Sequence, residues 1–364
     1  MKQYVVDLGL LARNAQILVE KAGSAAVYGV VKGNGYGLGL LPMAETLRES
    51  GVTRFAVADP SEATALRQGG FTREEILMLR ETRLEAELRE LMAAGAVLCV
   101  GSTETAGAIA ALAPEYRFPY PCHVKIDTGM GRYGFLPGQI EEMAAVWHNP
   151  ALEVQGTFTH FHSAFNNDAA TRAQFAQFQQ VLEQLKKRGL DPGIRHCCNS
   201  SAFLKYPEMH LDAVRLGSSL LGRLSFGGDF GLSPIGWCEA QIEIVRNIPK
   251  GHSVGYCADW TAKRDTTIAV FSVGHFQGLS APSRLDPASF RECVISVLAT
   301  IKSYFIRRPV YVTIGGHRAP IVGNIGMVQS IADVTDIPCQ VGDSVRIELR
   351  PLDVKDMERV YRKS

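Results

Sequence analysis

The sequence predicts a (β/α)₈ barrel followed by a smaller, mainly β domain, a fold of the combined α/β and β class. Over residues 1–225, short β-branched runs alternate with amphipathic helical patterns, as they do in consecutive parallel βα units. The stretch 226–235 is rich in glycine and has no periodicity, which is typical of a linker. Beyond it, over 236–364, strand-like alternation dominates. The length of 364 residues suits a barrel plus one small domain, since single domains average roughly 100 to 200 residues.

Eight strand candidates follow one another in the first part. They are residues 26–32, 54–59, 75–80, 97–102, 123–129, 152–160, 194–199 and 213–222. The segments between them have helical patterns, such as LLPMAETLRESG, in which Leu40, Met43, Ala44 and Leu47 share one face, and TRLEAELRELMAAGA, which Gly95 closes. Eight βα repeats in a little over 200 residues favour a closed barrel over an open doubly wound sheet.

The second part reads as a β domain. Its strand candidates are AQIEIVRNI (240–248), TTIAVFSVG (266–274), PVYVTIGG (309–316) and SVRIELRP (344–351). One helix is predicted, over PASFRECVISVLATIKSYF (287–305).

Composition narrows the functional class. Lys and Arg number 38 and Asp and Glu 37, and no segment contains a run of about five or six like charges, so neither nucleic acid nor a membrane is an expected partner. Asp7 and Arg13 interrupt the first apolar residues, and no window is apolar over about 18 residues, so we expect a cytoplasmic protein. The eight cysteines are scattered without a C-x-x-C pair, and we expect buried thiols.

Polar residues collect where the predicted barrel strands end, which is where barrels carry their functional groups. These residues are Lys32, Lys125, Asp127, Arg132, His160, His162, His196, Asn199, Ser200, Ser201, Arg215, Gly217 and Ser218. Lys32 ends an apolar strand and precedes a loop containing Gly33, Gly35 and Gly37. Partial desolvation would lower its pKa and make its amine a nucleophile able to form a Schiff base. The alternative is a lysine that extends from a strand end into water.

Two serine-containing runs, 199–201 and 215–219, place backbone N–H groups and hydroxyls where a phosphate could bind. The alternative is that these serines are ordinary helix N-caps. A lysine together with a phosphate site suggests pyridoxal 5'-phosphate. We expect no metal, because His160, His162 and His196 have no carboxylate or cysteine at a ligand spacing beside them.

Seven motifs give the sequence a resemblance to the alanine racemase family, fold-type III pyridoxal-phosphate enzymes. They are VVKGNGYGLG, VKIDTGMGRYGF, GTFTHFHSA, HCCNSSAFL, VRLGSSLLG, HSVGYCADWTAKRDTTIAV and HRAPIVGNIGMVQ. They follow the family's order between about residues 5 and 347. Each motif alone is modest evidence, whereas seven in order are specific.

The resemblance implies that the barrel, residues 1–225, binds pyridoxal phosphate. Lys32 would hold the cofactor covalently and Arg215 would face its pyridine nitrogen. A guanidinium cannot accept a proton, so it leaves that nitrogen unprotonated, which weakens the electron sink and favours reprotonation over side reactions. The other cofactor contacts implied are Tyr36, His160, Asn199, Ser200, Gly217 and Ser218, with His196 in support.

The resemblance also implies a substrate side. Arg132 and the backbone N–H of Met327 would lie near the substrate carboxylate. Lys125 matches a lysine that is carbamylated in relatives and holds that arginine. Tyr256 matches a second catalytic base that enters the site from the partner subunit, which implies a homodimer with two-fold symmetry.

The departures from the family lie mostly on the substrate side. Val328 replaces an aspartate, and Gly274-His275-Phe276-Gln277-Gly278 replaces a Gly-Tyr-x-Asp-Gly pattern, followed by the long LSAPSRLDPASF stretch. No tyrosine in the C-terminal stretch LDVKDMERVYRKS can be matched to the one that relatives place near the phosphate. Gly33 and Gly35 stand where alanine is usual.

The leading hypothesis is therefore an amino-acid racemase, an isomerase that interconverts the L and D forms of a small amino acid. Alanine is the first candidate and serine the second, with Lys32 and Tyr256 as the two bases. Because of the departures, a racemase for a bulkier or polar amino acid in a specialised pathway stays open. So does a protein that binds pyridoxal phosphate without turnover.

Overall fold

The structure is a computed structural model that describes residues 2–279 and 310–364, together with 293–295 and 297–298. Most of the helix predicted over 287–305 lies outside the described residues. The chain forms two compact units. The barrel unit comprises Asp7–Ile235 and Lys363–Ser364, and the β unit comprises the residues before Asp7 and Gly236–Arg362.

The elements up to Ile235 alternate between strand and helix. In chain order they are β1 (Lys2–Asp7), α1 (Leu8–Ala22), β2 (Ala26–Val30), the short turn α2 (Lys32–Tyr36), α3 (Leu40–Glu49), β3 (Arg54–Val57), α4 (Pro60–Gln68), β4 (Glu75–Met78), α5 (Glu85–Ala93), β5 (Leu98–Val100), α6 (Thr103–Leu112), β6 (Tyr120–Lys125), α7 (Ile140–Trp147), β7 (Leu152–Phe158), α8 (Asp168–Lys187), β8 (Ile194–His196), α9 (Ser200–Lys205) and β9 (Ala213–Leu216).

Strands β2 to β9 form the predicted barrel. They lie parallel in the order β4-β3-β2-β9-β8-β7-β6-β5. A parallel bridge between Leu77 and Val97 joins the two outer strands, where the amide of Met78 donates to the carbonyl of Val97 at 2.9 Å. All eight predicted strands are present, so the fold class is confirmed.

The helices follow the patterns that the sequence predicts. In α3, Leu40, Met43, Ala44 and Leu47 are buried on one face. Helix α5 ends just before Gly95, whose φ of 60° is the left-handed conformation that suits a glycine after a helix. Among the described helices, five are capped by a side chain that accepts from a first-turn amide: Asp7, Asp59, Ser102, Asn167 and Asn199.

The β unit is antiparallel. Its strands are β10 (Gly236–Ile248), β11 (Ser253–Val254), β12 (Trp260–Thr261), β13 (Thr266–Phe271), β14 (Tyr311–Ile314), β15 (His317–Pro320), β16 (Ser330–Asp333), β17 (Ser344–Ile347) and β18 (Glu358–Arg362). The main sheet runs β15-β14-β17-β10-β1-β18, and β13 joins β10 to β16. The four strands predicted here are present.

Strand β1 was not predicted as part of this sheet. It pairs with β10, so that Tyr4 lies opposite Cys238. The hydroxyl of Tyr4 donates to the carbonyl of Leu349 at 3.0 Å. Pairing across more than 230 residues depends on tertiary contacts that a local pattern does not contain.

Five of the eight cysteines are buried, as expected: Cys99, Cys122, Cys197, Cys198 and Cys238. The expectation is wrong for Cys257 and Cys293, which are exposed. Cys257 lies in the turn between β11 and β12, where its backbone is left-handed with φ 61°. Within the described residues, no helix is long and apolar enough to cross a membrane.

Asn14, on α1, forms hydrogen bonds both with the segment directly after β9 and with the stretch that precedes β10. Its side-chain amide is fully buried, donates to the carbonyls of Leu220 (3.0 Å) and Ser233 (2.8 Å), and accepts from the amide of Ser233 (3.0 Å). We expect Asn14→Ala to lower the free energy of unfolding by about 2–3 kcal/mol, because three backbone groups, one of them fully buried, lose their partner. Urea denaturation followed by circular dichroism measures this.

The matched control is Asn166→Ala, since Asn166 is exposed and its side chain makes no hydrogen bond within the described residues. A change below about 0.5 kcal/mol is expected there. Equal losses in the two variants would contradict the role given to Asn14.

Candidate active site

Lys32 begins a left-handed turn directly after β2. Gly33 (φ 64°, ψ 44°), Asn34 (52°, 52°) and Gly35 (62°, 42°) are all left-handed, and Tyr36 follows with φ 55°. Such a run is rare, because the left-handed conformation costs about 1–2 kcal/mol for each residue with a Cβ atom. The two glycines remove that cost at half of the positions.

Glu62 holds this turn in place. Its carboxylate is buried, and one oxygen accepts from the amide of Asn34 at 2.9 Å. The other accepts from the amides of Ala58 (3.1 Å) and Asp59 (3.2 Å) at the start of α4. Glu62, the third residue of α4, therefore links the start of that helix to the loop that carries Lys32.

The Lys32 amine is half-buried and close to other cations. Burial lowers the pKa of Lys32, and the charges of Arg132 and Arg215 lower it further, while Glu62 opposes them. A lowered pKa increases the share of neutral, nucleophilic amine near neutral pH.

Tyr36 and Gly217 lie in close contact. A Cβ atom at position 217 would overlap the phenolic oxygen of Tyr36 and lie 2.8 Å from its Cζ. Burial raises the pKa of Tyr36 to about 12, so its hydroxyl stays protonated and can donate a hydrogen bond. Position 217 thus requires glycine for Tyr36 to reach the end of β9.

Ser200, at the start of α9, organises the segment after β9. Its buried hydroxyl accepts from the amides of Gly217 (3.0 Å) and Ser219 (3.2 Å), and the hydroxyl of Ser219 donates to it at 3.0 Å. Asn199 caps α9 by accepting from the amide of Ala202 at 3.0 Å. Ser218 lies between these anchored residues, half-exposed.

Arg215 is a buried cation held by neutral groups. Its Nη1 donates to Nδ1 of His196 at 2.7 Å, and its Nη2 donates to the carbonyls of Thr159 (2.6 Å) and Cys197 (3.2 Å). Burial lowers the pKa of Arg215 to about 10, so the group remains charged at neutral pH. Within the described residues no acceptor meets its Nε–H, which leaves that donor available to a bound group.

The two histidines beside Arg215 are neutral. Nδ1 of His160 lies 3.4 Å from Nη2 of Arg215, and His196 is fully buried. For each, burial and then the charge of Arg215 hold the pKa well below its ordinary value. His162, by contrast, is exposed, and its Nδ1 contacts the hydroxyl of Ser163.

Lys125, on β6, lies beneath the loop that carries Arg132. Its Nζ is buried and lies 4.9 Å from the ring centroid of Phe158. Burial lowers the pKa of Lys125 to about 8, and neighbouring Arg215 and Arg132 act in the same direction. Among the described residues, no group of three or more possible metal ligands is present.

The loop with Arg132 is pinned by Asp127. The Asp127 carboxylate accepts from the amides of Gly129 (2.9 Å), Met130 (2.7 Å) and Gly131 (2.8 Å). At the base of the loop the amide of Asp127 donates to the carbonyl of Phe135 at 2.8 Å. Arg132 is exposed at the tip and makes no hydrogen bond or ion pair within the described residues.

The remaining predicted residues, Tyr256 and Met327, lie in the β unit. Both are exposed, at 76% and 74%. Asn324 donates its side-chain amide to the carbonyl of Tyr256 at 3.3 Å. The amide of Phe276 donates to the carbonyl of Met327 at 2.8 Å. Segment 274–278, the Gly-His-Phe-Gln-Gly sequence, therefore lies directly against Met327.

The sequence matches two models of one known protein family. The profile of the alanine racemase N-terminal domain matches residues 6–225, and that of the C-terminal domain matches residues 237–360. The chain belongs to the alanine racemase family. The racemase class expected from the sequence is confirmed with it.

Individual relatives of this alanine racemase family member cover nearly the whole chain. The alanine racemase of Desulforamulus reducens is 32% identical over 340 residues, which are 91% of this chain and 85% of that protein. The solved alanine racemase from D-cycloserine producing Streptomyces lavendulae is 25% identical, with a TM-score of 0.84 over 100% of this chain and 97% of that one. That of Bartonella henselae, solved with covalently bound pyridoxal phosphate, has a TM-score of 0.79 over 99% of each chain; at 23% identity it shows the fold.

Two residues that shape this racemase's site were not assigned a role from its sequence. Glu62 completes an Asp-x-x-Glu capping box with Asp59, and this pattern can be recognised in the sequence. His123 stands two residues before Lys125 on β6, and strand residues two apart share a face. That spacing could have placed His123 in the barrel interior.

Burial of Lys125 predicts a pH-dependent stability. Its pKa in the folded protein, about 8, lies below the ordinary value of 10.5, so the folded state binds fewer protons between these two pH values. The penalty for burying the charge is full below pH 8 and disappears as pH rises to 10.5. We compare the free energy of unfolding of Lys125→Met with that of wild type at each pH. The difference in favour of the variant should be about 2–3 kcal/mol larger at pH 7 than at pH 10.

Urea denaturation in buffer freed of CO₂ measures this difference. Lys186→Met is the control, since Lys186 is exposed and its replacement should shift stability equally at both pH values. A Lys125→Met variant whose difference from wild type does not change with pH would contradict the assignment.

Proposed function

We propose that this chain interconverts the L and D forms of alanine, and of serine to a lesser extent, with pyridoxal phosphate as its cofactor. The observation that carries the proposal is Arg215. It is a buried guanidinium without a carboxylate partner among the described residues, and one of its donors is left for a bound group. A carboxylate at this place would favour a protonated pyridine nitrogen, whereas a guanidinium can only donate.

The residues present fit the cofactor. Lys32 supplies an amine with a lowered pKa, and Arg215 a donor for a ring nitrogen. Tyr36 and Gly217 lie in contact, since a Cβ atom at position 217 would overlap the Tyr36 hydroxyl, and Ser200 anchors the amide of Gly217. We propose that these residues and Ser218 bind the phosphate, with Asn199 in support as the cap of α9, and that His160, kept neutral beside Arg215, is the neighbour of the ring. Pyridoxal phosphate, when bound, supplies an electron-withdrawing ring that makes the α-hydrogen of a linked amino acid acidic.

Racemisation requires proton transfer on both faces of the α-carbon. We propose that Nζ of Lys32 takes the α-proton on one face and that the hydroxyl of Tyr256, from a second copy of the chain, returns a proton on the other. In the opposite direction the two groups exchange roles. The exposed position of Tyr256 in the β unit supports a contact with another chain.

The substrate carboxylate is proposed to bind Arg132. The Asp127 carboxylate fixes the loop, so the guanidinium is carried by an ordered backbone. Lys125 lies below it with a pKa of about 8, and a neutral amine is the form that adds CO₂. Carbamylation of Lys125, the role of the Met327 amide, the homodimer and the cytoplasmic location stay predictions.

The second candidate is a racemase for a bulkier or polar amino acid. The observation that favours it is the contact of segment 274–278 with Met327. This contact brings Phe276, exposed at 50%, next to the proposed carboxylate contact, and Val328, exposed at 47%, is the next residue in the chain. Both lie where the family pattern departs.

A racemisation screen decides between these substrates. Purified holoenzyme is incubated with each common L-amino acid and the products are separated by chiral chromatography. We expect alanine to react fastest and serine next, and Lys32→Ala to lose at least about 10³-fold, since it removes a base and the covalent attachment. Faster turnover of a larger or polar amino acid favours the second candidate. No turnover with bound cofactor would leave a binding protein.

The two-base assignment predicts an asymmetric defect. In deuterated buffer, Tyr256→Phe should slow exchange of the α-hydrogen of one alanine enantiomer by about 10²-fold or more, and that of the other far less, because Lys32 still serves its own face. Tyr361→Phe is the control, an exposed tyrosine of the same unit. Equal losses for both enantiomers would contradict the assignment.

A shared site predicts complementation between inactive variants. After subunit exchange between equal amounts of Lys32→Ala and Tyr256→Phe, half of the dimers are mixed, and each has one site with both native bases. Activity should therefore return to about a quarter of the wild-type value. The matched control pairs Lys32→Ala with the double variant, in which no site has Lys32. Failure to recover activity in a dimer shown to exchange subunits would refute a shared site.

A further inference from the structure

Three side chains form a hydrogen-bonded row inside the barrel. Nη1 of Arg215 lies 2.7 Å from Nδ1 of His196, and Nε2 of His196 lies 2.9 Å from Nδ1 of His123. Arg215 and the two histidines are buried, with exposures of 3%, 0% and 0%. Arg215 lies on β9, His196 on β8 and His123 on β6, so the row crosses the barrel interior.

Donor capacity fixes every proton in this row. A guanidinium only donates, so Nδ1 of His196 must accept and carries no hydrogen. Neutral His196 therefore has its hydrogen on Nε2 and donates to Nδ1 of His123. The hydrogen of His123 is then on Nε2, a buried atom that meets no acceptor within the described residues.

Packing holds both rings. The His196 ring is stacked between Phe158 (4.9 Å between centroids, 7°) and Tyr28 (5.3 Å, 22°). The His123 ring lies against the backbone of β7, where a Cβ atom at Gly156 would be 2.6 Å from its Cε1. With its plane fixed by stacking, His196 can keep one nitrogen on each partner.

We propose that His123 is a positioning residue: by accepting the Nε2 hydrogen of His196, it keeps the Nδ1 lone pair of His196 directed at Arg215 and so holds the guanidinium in place. Leaving the Nε2 hydrogen of His123 without a partner is the local cost of this arrangement. Only the activity arm of the test below rests on the proposed function.

Burial and the positively charged neighbours of the row keep both histidine rings neutral, as the proton arrangement requires. His123 is close to the guanidinium groups of Arg54 and Arg215, and His196 is close to these and to Lys125. Tyr28, the other titratable group against the two rings, has its pKa raised by burial and stays neutral. Burial and these charges lower the pKa of His123 to about 3, so the row keeps its protons across the neutral range.

The test compares His123→Asn with His123→Leu. Asparagine keeps an acceptor oxygen at the position of Nδ1, whereas leucine keeps the branching and loses the acceptor. Tyr120→Phe is the matched control, because Tyr120 is buried on the same strand and its hydroxyl donates to the carbonyl of Ala96 at 3.0 Å, outside the row.

Solid-state ¹⁵N NMR of histidine-labelled holoenzyme, with His196 assigned by its loss in His196→Asn, reports the tautomer directly. We expect a protonated Nε2 and an unprotonated Nδ1 in wild type, His123→Asn and Tyr120→Phe. In His123→Leu we expect both signals to shift toward each other, because the Nε2 hydrogen of His196 loses its acceptor while Nη1 of Arg215 keeps a second one, the carbonyl of His196 at 3.0 Å. Racemisation by His123→Leu should fall about tenfold in kcat, with KM for alanine nearly unchanged, while His123→Asn retains most of it.

A His196 hydrogen on Nδ1 in wild type would overturn the proposal, and this outcome does not require either His123 variant to fold. So would unchanged His196 signals in His123→Leu, or a loss of activity in His123→Asn as large as in His123→Leu. Absence of racemase activity in wild type would refute the proposed function alone, since the tautomer readout does not depend on turnover.

Discussion

Burial of the Arg215 charge constrains the rest of the barrel mouth. A buried cation is costly unless its donors are met, and here carbonyls and a neutral imidazole meet both Nη groups, while Nε–H stays available to a bound group. The charge of Arg215 in turn disfavours further positive charge on the groups around it. The histidines are accordingly neutral, and Lys32 and Lys125 have lowered pKa values in the same field.

The acidic residues near the barrel mouth accept hydrogen bonds from backbone amides. Glu62 and Asp127 each accept three backbone amides, Glu62 fixing the turn after Lys32 and Asp127 the loop before Arg132. Within the described residues, neither carboxylate forms an ion pair with the cations of the mouth. The positive charges of Lys32, Arg132 and Arg215 suit ligands that carry a phosphate and a carboxylate.

Much of this could be predicted from the sequence, because the governing signals are local. The eight strands are short β-branched runs, and Leu40, Met43 and Leu47 in α3 recur at helical spacing. Lys32 and Arg215 could be predicted to lie at one rim, because parallel barrel strands end at one face. The features that were missed arise from contacts distant in sequence. Strand β1 finds its partner more than 230 residues away, and His123 acquires a role only through its distance to His196.

The left-handed turn after Lys32 has a consequence for the unfolded chain. Gly33 and Gly35 spare the folded turn its steric strain, but glycine has the largest range of backbone conformations to lose when a chain orders. An alanine at either position would add strain to the folded state and lower the entropy lost on ordering. The hydrogen bond from the Asn34 amide to the Glu62 carboxylate must therefore offset the disorder lost at the two glycines as well as the strain that remains at Asn34 and Tyr36. The lysine loop is thus less strained when formed, and entropically more expensive to form, than a loop with alanine at these positions.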